Sequence, residues 1–358
     1  MKNLSRILIG IVLFLITLGT IVIFSARGYS FFISHMGKVA FSIAAFIFFA
    51  IIPYKHYKKI SKWLLLGTVL ALFYTLFSPA VKGASRWMNL GFVSFQPSEF
   101  AKIFLLIHLA AMIESKGDNI KDFKKGLQYM LLWIGAVCLL IFLQPNVSTT
   151  IIVAATSFIL LYVGGARVLH LGGIVGGLAV LGGAGAMMFP HSRGRILTFI
   201  NSLTEGGSIN LQVLQSKIAL GSGGLFGLGI GQSRQSDLFL PEPHNDFVFS
   251  VVGEELGFFG ALAILFAYMA IFFVGLLIAK KAKDEFGQLL AFGISFTIVM
   301  SAFIHVAVGV GLLPTTGITL PFISFGGTSI IIFSISLGIL INIALLADKH
   351  KKIKKARA

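Results

Sequence analysis

Asp246-Phe-Val-Phe-Ser-Val-Val-Gly253-Glu254-Glu255-Leu-Gly257-Phe-Phe-Gly-Ala-Leu-Ala-Ile-Leu-Phe-Ala-Tyr-Met-Ala-Ile-Phe-Phe-Val-Gly-Leu-Leu-Ile-Ala279 decides what kind of chain this is. An apolar run of this length crosses the roughly 30 Å hydrocarbon core of a bilayer as a helix. The run is over-long for one crossing, and Gly257 is where it is expected to break. Three carboxylates stand at its head. On insertion scales each costs about 2.5–3.5 kcal/mol in a membrane segment, so such acids face a cavity and serve a function. Upstream, Phe239-Leu-Pro-Glu242-Pro-His244-Asn245 leads into the run. Six of the thirteen Asp and Glu (Glu205, Asp237, Glu242, Asp246, Glu254, Glu255) lie between 205 and 255. The chemistry is expected there.

The rest of the chain repeats the membrane signal. It is 56% hydrophobic and 12% charged, with a mean hydropathy of +0.93, whereas soluble domains carry about 25% charged residues. Apolar runs fall at 7–25, 37–54, 62–77, 97–113, 127–143, 147–163, 168–189, 246–279, 288–312 and 322–347. They are continuous rather than alternating, which selects helices over a barrel. The expected fold is an all-α polytopic membrane protein with about ten transmembrane helices, read as a single membrane domain over 1–358. The first run lacks a small-residue cleavage site, so it is expected to be retained.

A net charge of +16 invites a nucleic-acid reading, and the placement of the charges decides against it. If the N-terminus is cytoplasmic, the inner segments hold twenty Lys and Arg and the outer ones eight. That asymmetry places both termini in the cytoplasm. The basic excess then marks topology and contact with anionic lipid; no aromatic-basic interleaving suggests nucleic acid. The lone Cys138 lies within a span, so neither a disulfide nor a thiolate metal site is expected. Two connections, 78–96 and 190–245, are long and fall outside. The second is too apolar for disorder and is expected to form an ordered extracytoplasmic cap, with an interfacial helix over 209–220.

Four constellations stand out. In Gly83-Ala-Ser-Arg86-Trp87 through Phe95-Gln96-Pro97-Ser-Glu99-Phe-Ala-Lys102, Pro97 suits the first turn of a helix and Glu99 suits its dipole. Glu99 and Lys102 share a face, so Glu99 reads first as a structural ion pair. Arg86 and Lys102 read as cations able to clamp phosphate oxygens. Asp246 is either an N-cap or a general base, and spacing leaves the two even. Adjacent Glu254 and Glu255 cannot share one helix face, so at least one orders the bundle or the broken helix. Gly221-Ser-Gly-Gly-Leu-Phe-Gly227-Leu-Gly-Ile-Gly231 resembles a phosphate cradle only superficially and reads as tight packing, with Lys217 before it as a further phosphate contact. Gly311 to Thr328, with two prolines, implies non-helical backbone lining a cavity. His305 reads as a hydrogen-bonded core histidine. No metal constellation is visible.

At these motifs the chain resembles the SEDS family (shape, elongation, division and sporulation) of polytopic membrane proteins, FtsW, RodA and SpoVE. The likeness rests on Gly83-Ala-Ser-Arg-Trp87, Phe95-Gln-Pro-Ser-Glu99 through Lys102, and Gln215-Ser-Lys-Ile-Ala-Leu-Gly-Ser-Gly-Gly-Leu-Phe-Gly227. Leu240-Pro-Glu-Pro-His-Asn-Asp-Phe247, Gly253-Glu-Glu-Leu-Gly257 and the Gly311–Gly327 segment complete it. It implies a peptidoglycan glycosyltransferase that polymerises lipid II on the outer face of the cytoplasmic membrane, beside a class B penicillin-binding protein and the other membrane proteins of the divisome or elongasome. It implies Asp246 as the catalytic residue and a cavity around Arg86 and Lys102; the residue reading adds Gln96, Glu99 and Lys217 toward substrate and His244, Glu254 and Glu255 as structural or cavity residues. Gly231-Gln-Ser-Arg-Gln235, Pro243 and Gly253-Glu-Glu lean to the division and sporulation branch; Gln215-Ser-Lys217 leans to the elongation branch. Three positions depart from the family pattern: Asn146 where aspartate is usual, Asn245 for threonine and His305 for asparagine.

The implied reaction displaces undecaprenyl pyrophosphate with inversion when a sugar 4-hydroxyl attacks the anomeric carbon. Asp246 would take the proton, and Arg86, Lys102 and Lys217 would offset the growing pyrophosphate charge. No cofactor is called for; a divalent cation would suit the pyrophosphate, but the sequence offers no ligand set. The competing readings are a lipid II flippase and a non-catalytic scaffold for the transpeptidase. Transport would spread charges to the midplane, whereas here they gather toward one side.

Overall fold

The computed structural model describes residues 2–79, 85–89, 91, 94–204, 210–240 and 242–357. Its long helices are α1 (Lys2–Ile51), α2 (Tyr54–Thr75), α3 (Pro97–Lys116), α4 (Gln128–Leu143), α5 (Val147–Val163) and α6 (Val168–Ala186). Three shorter ones follow, α7 (Pro190–Ser202), α8 (Leu211–Ser222) and α9 (Arg234–Leu238). The chain closes with α10 (Val248–Lys281), α11 (Glu285–Gly309) and α12 (Gly327–Arg357). A two-residue-per-strand hairpin, β1 (Met88–Asn89) with β2 (Ser94–Phe95), pairs Met88 with Phe95 ahead of α3.

The fold is all-α and multi-pass. Ten crossings are expected from the sequence; six helices among the described residues are long and apolar enough to cross a membrane by length and composition. Two of them contain sharp breaks. In α1 the break is at Gly28 (φ 73°, ψ −167°), in α10 at Gly257 (φ 67°, ψ −168°). Side chains rarely adopt that backbone, so glycine is required at both. The sequence leads one to expect a connection between 25 and 37. Instead helix runs up to Gly28 and resumes directly after it.

The break at Gly257 explains the glycine-rich segment. A Cβ at Gly257 would lie 2.3 Å from the Gly227 nitrogen, and one at Gly227 would lie 2.1 Å from the Glu255 oxygen. The close approach lets the segment replace the helical bonds that the break removes. Leu228 and Gly229 N–H donate to the Glu254 and Glu255 carbonyls at 2.9 and 3.0 Å. In return, Phe258 and Phe259 N–H donate to the Gly224 and Leu225 carbonyls at 2.9 and 3.2 Å. A buried helix end needs such partners. Packing accounts for the glycines; a phosphate cradle is not required.

In the core, α1 packs along α12, α10 against α11, and α2 against α3. Polar groups bolt one end of the bundle. Asn342 accepts from the Tyr54 N–H (2.8 Å) and donates to the Ala50 carbonyl (2.7 Å), which satisfies the corner between α1 and α2. Asp284 caps α11 through the Gly287 N–H (2.9 Å), accepts from the Tyr54 hydroxyl (2.8 Å) and pairs with Lys55 (3.3 Å). Burial would raise the Asp284 pKa, but these hydrogen bonds and the Lys55 charge hold it below the usual carboxylate value. A depressed pKa contributes stability above the unfolded value of about 3.9, and that stability is lost as pH falls through the folded pKa. Acidification below about pH 4 should therefore lower the melting temperature of the wild type more than that of Asp284→Asn. At neutral pH Asp284→Asn should cost about 1 kcal/mol, the pair being partly screened by solvent. Identical pH profiles from thermal scans in detergent would rule the clamp out.

Candidate functional site

The stretch from Gly311 to Phe325, between α11 and α12, is non-helical, with positive φ at Gly311 (77°) and Gly317 (72°). Side chains from the surrounding helices satisfy its backbone. The His305 Nδ1 donates to the Ile318 carbonyl at 2.7 Å, and the Tyr268 hydroxyl donates to the Pro321 carbonyl. Residues 318–324 are mostly buried, while 311–317 are half-buried to exposed; irregular backbone at membrane depth packs in protein or lines a cavity. Here it forms the spine on which charged groups from three other segments meet.

Asp246 is the first of them. The turn 242–247 starts from Glu242 in the left-handed region (φ 54°), and its carbonyl accepts from the Asn245 and Asp246 N–H at 3.1 and 3.2 Å. Two bonds fasten the turn to the spine. Phe325 N–H donates to the His244 carbonyl (3.0 Å), and Ser324 Oγ donates to the Asn245 carbonyl (2.8 Å). Asn245 Nδ2 donates to Glu242 at 3.0 Å, which gives this departure from the family pattern a local job. The helix that follows begins at Val248, with Phe247 at its N-cap and no side-chain cap bond. Asp246 therefore does not cap α10. It is half-buried, with Oδ2 3.7 Å from the Cβ position of Gly317, so the carboxylate faces the spine at a point where no side chain intervenes.

Two cations lie along the same spine, and a third, Arg86, stands near one of them. The stem of Lys217 crosses Gly311, where a Cβ would lie 2.4 Å from its Cε. Arg195 donates to the Thr315 carbonyl at 3.3 Å. Arg86 donates to the Gln144 carbonyl at 3.2 Å and to the Pro145 carbonyl. Burial lowers the Arg86 pKa, and the neighbouring Arg195 charge lowers it further. Two guanidinium groups are thus held near each other, bonded to carbonyl oxygens and to no carboxylate among the described residues. Such a pair favours an incoming anion. Asn146 stands beside the carbonyls that Arg86 uses. It is 4% exposed and its Nδ2 has no partner. An aspartate at this position, which the family resemblance leads one to expect, would place a counter-charge close to Arg86.

The other expected site residues are taken up by contacts of their own. Lys102 pairs with Glu99 at 2.7 Å, both nearly buried, and its ammonium sits 5.3 Å from the Phe333 ring centre. Lys102 also lines a small internal cavity with Thr297, Phe333 and Ser336. Gln96 binds α12 through its backbone, N–H to Thr328 Oγ1 at 3.3 Å. Glu254 accepts from Ser233 Oγ (2.5 Å) and the Arg234 N–H (3.1 Å); Glu255 accepts from the Gly231 N–H (3.1 Å) and from Ser25 Oγ. Both acids therefore hold the segment 231–235 against the broken helix. His244 accepts from Arg27 Nε at 3.1 Å and packs edge-on to Phe31 and Phe325. Gly83, Ala84, Glu205, Ile209 and Pro241 lie outside the described residues. Among the described residues no group of three or more His, Cys, Asp and Glu is placed to hold a metal.

Sequence reasoning missed Arg195. Its helix, α7, begins with Pro190 at the first helical position, so pattern reading can find the helix but not the distant partner of its arginine.

Residues 5–349 match the cell cycle protein family of FtsW, RodA and SpoVE. A probable peptidoglycan glycosyltransferase FtsW of Geobacter sp. (strain M18) is 36% identical over 313 residues, 85% of this chain and 84% of that protein. Stage V sporulation protein E of Bacillus subtilis is 34% identical over 354 residues, 94% of this chain and 96% of that one. A solved chain from a peptidoglycan synthase complex that coordinates polymerization and crosslinking shares the fold: TM-score 0.79 at 23% identity, covering 95% of this chain and 97% of that.

Proposed function

Since the chain belongs to the FtsW, RodA and SpoVE family of cell cycle proteins, we propose that it is a peptidoglycan glycosyltransferase that polymerises lipid II at the membrane. One observation carries the mechanism: a carboxylate and two cations converge on a single non-helical segment, with Arg86 beside one of them. Asp246 faces Gly317, Arg195 binds at Thr315 and Lys217 lies over Gly311. In this reading the 4-hydroxyl of one lipid-linked disaccharide attacks the anomeric carbon of another. Asp246 takes the hydroxyl proton, a step worth roughly 10²–10⁴-fold. The bond from the anomeric carbon to the pyrophosphate oxygen breaks with inversion, and undecaprenyl pyrophosphate leaves. Arg86, Arg195 and Lys217 offset the charge that grows on the leaving group. Lys102, held by Glu99, shapes the cavity wall rather than meeting the phosphates.

The membrane arrangement belongs to the same proposal. Ten crossings follow if α1 and α10 are each split at their glycine breaks and α2, α3 and α5 also span; in α10 only the longer half then crosses. Both termini would lie in the cytoplasm, with 78–96 and 190–245 outside as a cap over the site. The positive-inside distribution of Lys and Arg supports that orientation. We take the partner to be a class B penicillin-binding protein, as the fold likeness to a synthase-complex chain suggests, and the cellular role to be FtsW-like.

The test is glycan polymer formed from labelled lipid II by purified protein, alone and with the partner. Within it, Arg195→Ala and Arg86→Ala should each lower kcat/KM by about tenfold or more, the worth of one hydrogen bond to a charged group. The double variant should lose less than the product of the two, because the arginines repel each other in the empty site. Unchanged kcat/KM for both would remove the pair from the mechanism.

A further inference from the structure

At the far ends of α3 and α5 from Arg86, about 30 Å away by helix rise, the turns that join α3 to α4 meet the start of α6. A groove of about 490 Å³ opens there, lined by Lys121, Lys124, Lys125, Arg167, Phe123 and His170 and by two acids, Asp118 and Asp122. Both acids are engaged locally. Asp118 pairs with Lys121 at 2.6 Å. Asp122 accepts from the Lys124 and Lys125 N–H (2.9 and 3.0 Å) and so caps a π-helical turn, a local geometry often found at functional sites. Lys124, Lys125 and Arg167 make no ion pair among the described residues, although the Asp122 carboxylate lies close enough to feel the Lys125 and Arg167 charges; the cations still outnumber the acids around the groove. His170 packs edge-on against Phe123 at 5.9 Å, and its buried Nδ1 has no partner.

What surrounds the cations sets the class of ligand. Directly beside Arg167, Val168 and Leu169 are 64% and 86% exposed, and α6 continues as a largely uncovered apolar surface. A free phosphate would use only the cations; a phospholipid would use the cations and the apolar skin together. We propose that this groove binds the phosphodiester headgroup of an anionic membrane phospholipid, its acyl chains lying along α6. Basic pockets between spans bind such headgroups in general.

The test uses the full chain in detergent with dioleoylphosphatidylglycerol as the probe and native mass spectrometry to count retained lipid. The wild type should retain it, and dioleoylphosphatidylcholine should not be retained. Removing three cations in Lys124→Gln/Lys125→Gln/Arg167→Gln should weaken retention by about 10²-fold. Lys351→Gln/Lys352→Gln/Lys354→Gln, which removes equal charge from the C-terminal tail, should change it little, and Lys124→Arg/Lys125→Arg should preserve it. If the first triple variant is not monodisperse, Arg167→Gln alone should lose about fivefold. Equal retention by the groove variants, or of the two lipids, overturns the proposal. Displacement by millimolar inorganic phosphate assigns the groove to a soluble anion and overturns the lipid assignment.

Discussion

Asp246→Asn is expected to lower lipid II polymerisation by about 10²–10⁴-fold, the range for removing a positioned general base. Asparagine keeps the shape and the hydrogen-bonding reach of the side chain but cannot take a proton. The turn that carries it should survive, because its fastening bonds come from Phe325 N–H and Ser324 Oγ to the carbonyls of residues 244 and 245. Folding, yield and melting temperature should therefore stay near wild type, and the loss should fall on kcat rather than KM. Near-normal glycan from this variant would take the base away from the mechanism. A collapse in stability would instead mean that the carboxylate holds the turn.

The second large effect is on stability. Lys102→Met should destabilise the protein by about 3–5 kcal/mol, the penalty for leaving a buried charge without its partner. Glu99 is 8% exposed, and only one of its two carboxylate oxygens has a hydrogen-bond partner. Without Lys102 it would be an isolated buried acid. Glu99→Gln/Lys102→Met removes both charges and should recover most of the loss, which a double-mutant cycle in thermal or denaturant melts would register. Additive losses would mean that the two residues act separately. This cycle also separates a structural ion pair from a substrate clamp, since a clamp would change KM in the active double variant.

Some of this was legible in the chain and some was not, for physical reasons. Gly257 inside an over-long apolar run announced a break, and Pro97 with Glu99 announced the start of α3. Both signals are local. Gly28 was harder, because polar residues around it read as an ordinary connection, while the structure keeps helix on both sides. Asp246 could not be separated from an N-cap by spacing, and only the observed start of α10 at Val248 decided against capping. Lys102 and Arg86 lie on one motif and looked like a single clamp. The i, i+3 partner Glu99 takes up the lysine, whereas Arg86 reaches the carbonyls of residues 144 and 145, far away in sequence. Arg195 joins Arg86 only through tertiary packing, and no local pattern could have shown it.

In the proposed mechanism Asp246 does chemistry on lipid II rather than helping to move it. Proteoliposomes carrying the wild-type chain, its partner and labelled lipid II can report both outcomes at once, polymer by gel and transbilayer monomer by accessibility to an added label. Polymer from the wild type, none from Asp246→Asn, and no difference between them in monomer movement is the expected result. Lipid II that crosses the bilayer without lengthening, in a manner that depends on Asp246, would contradict it.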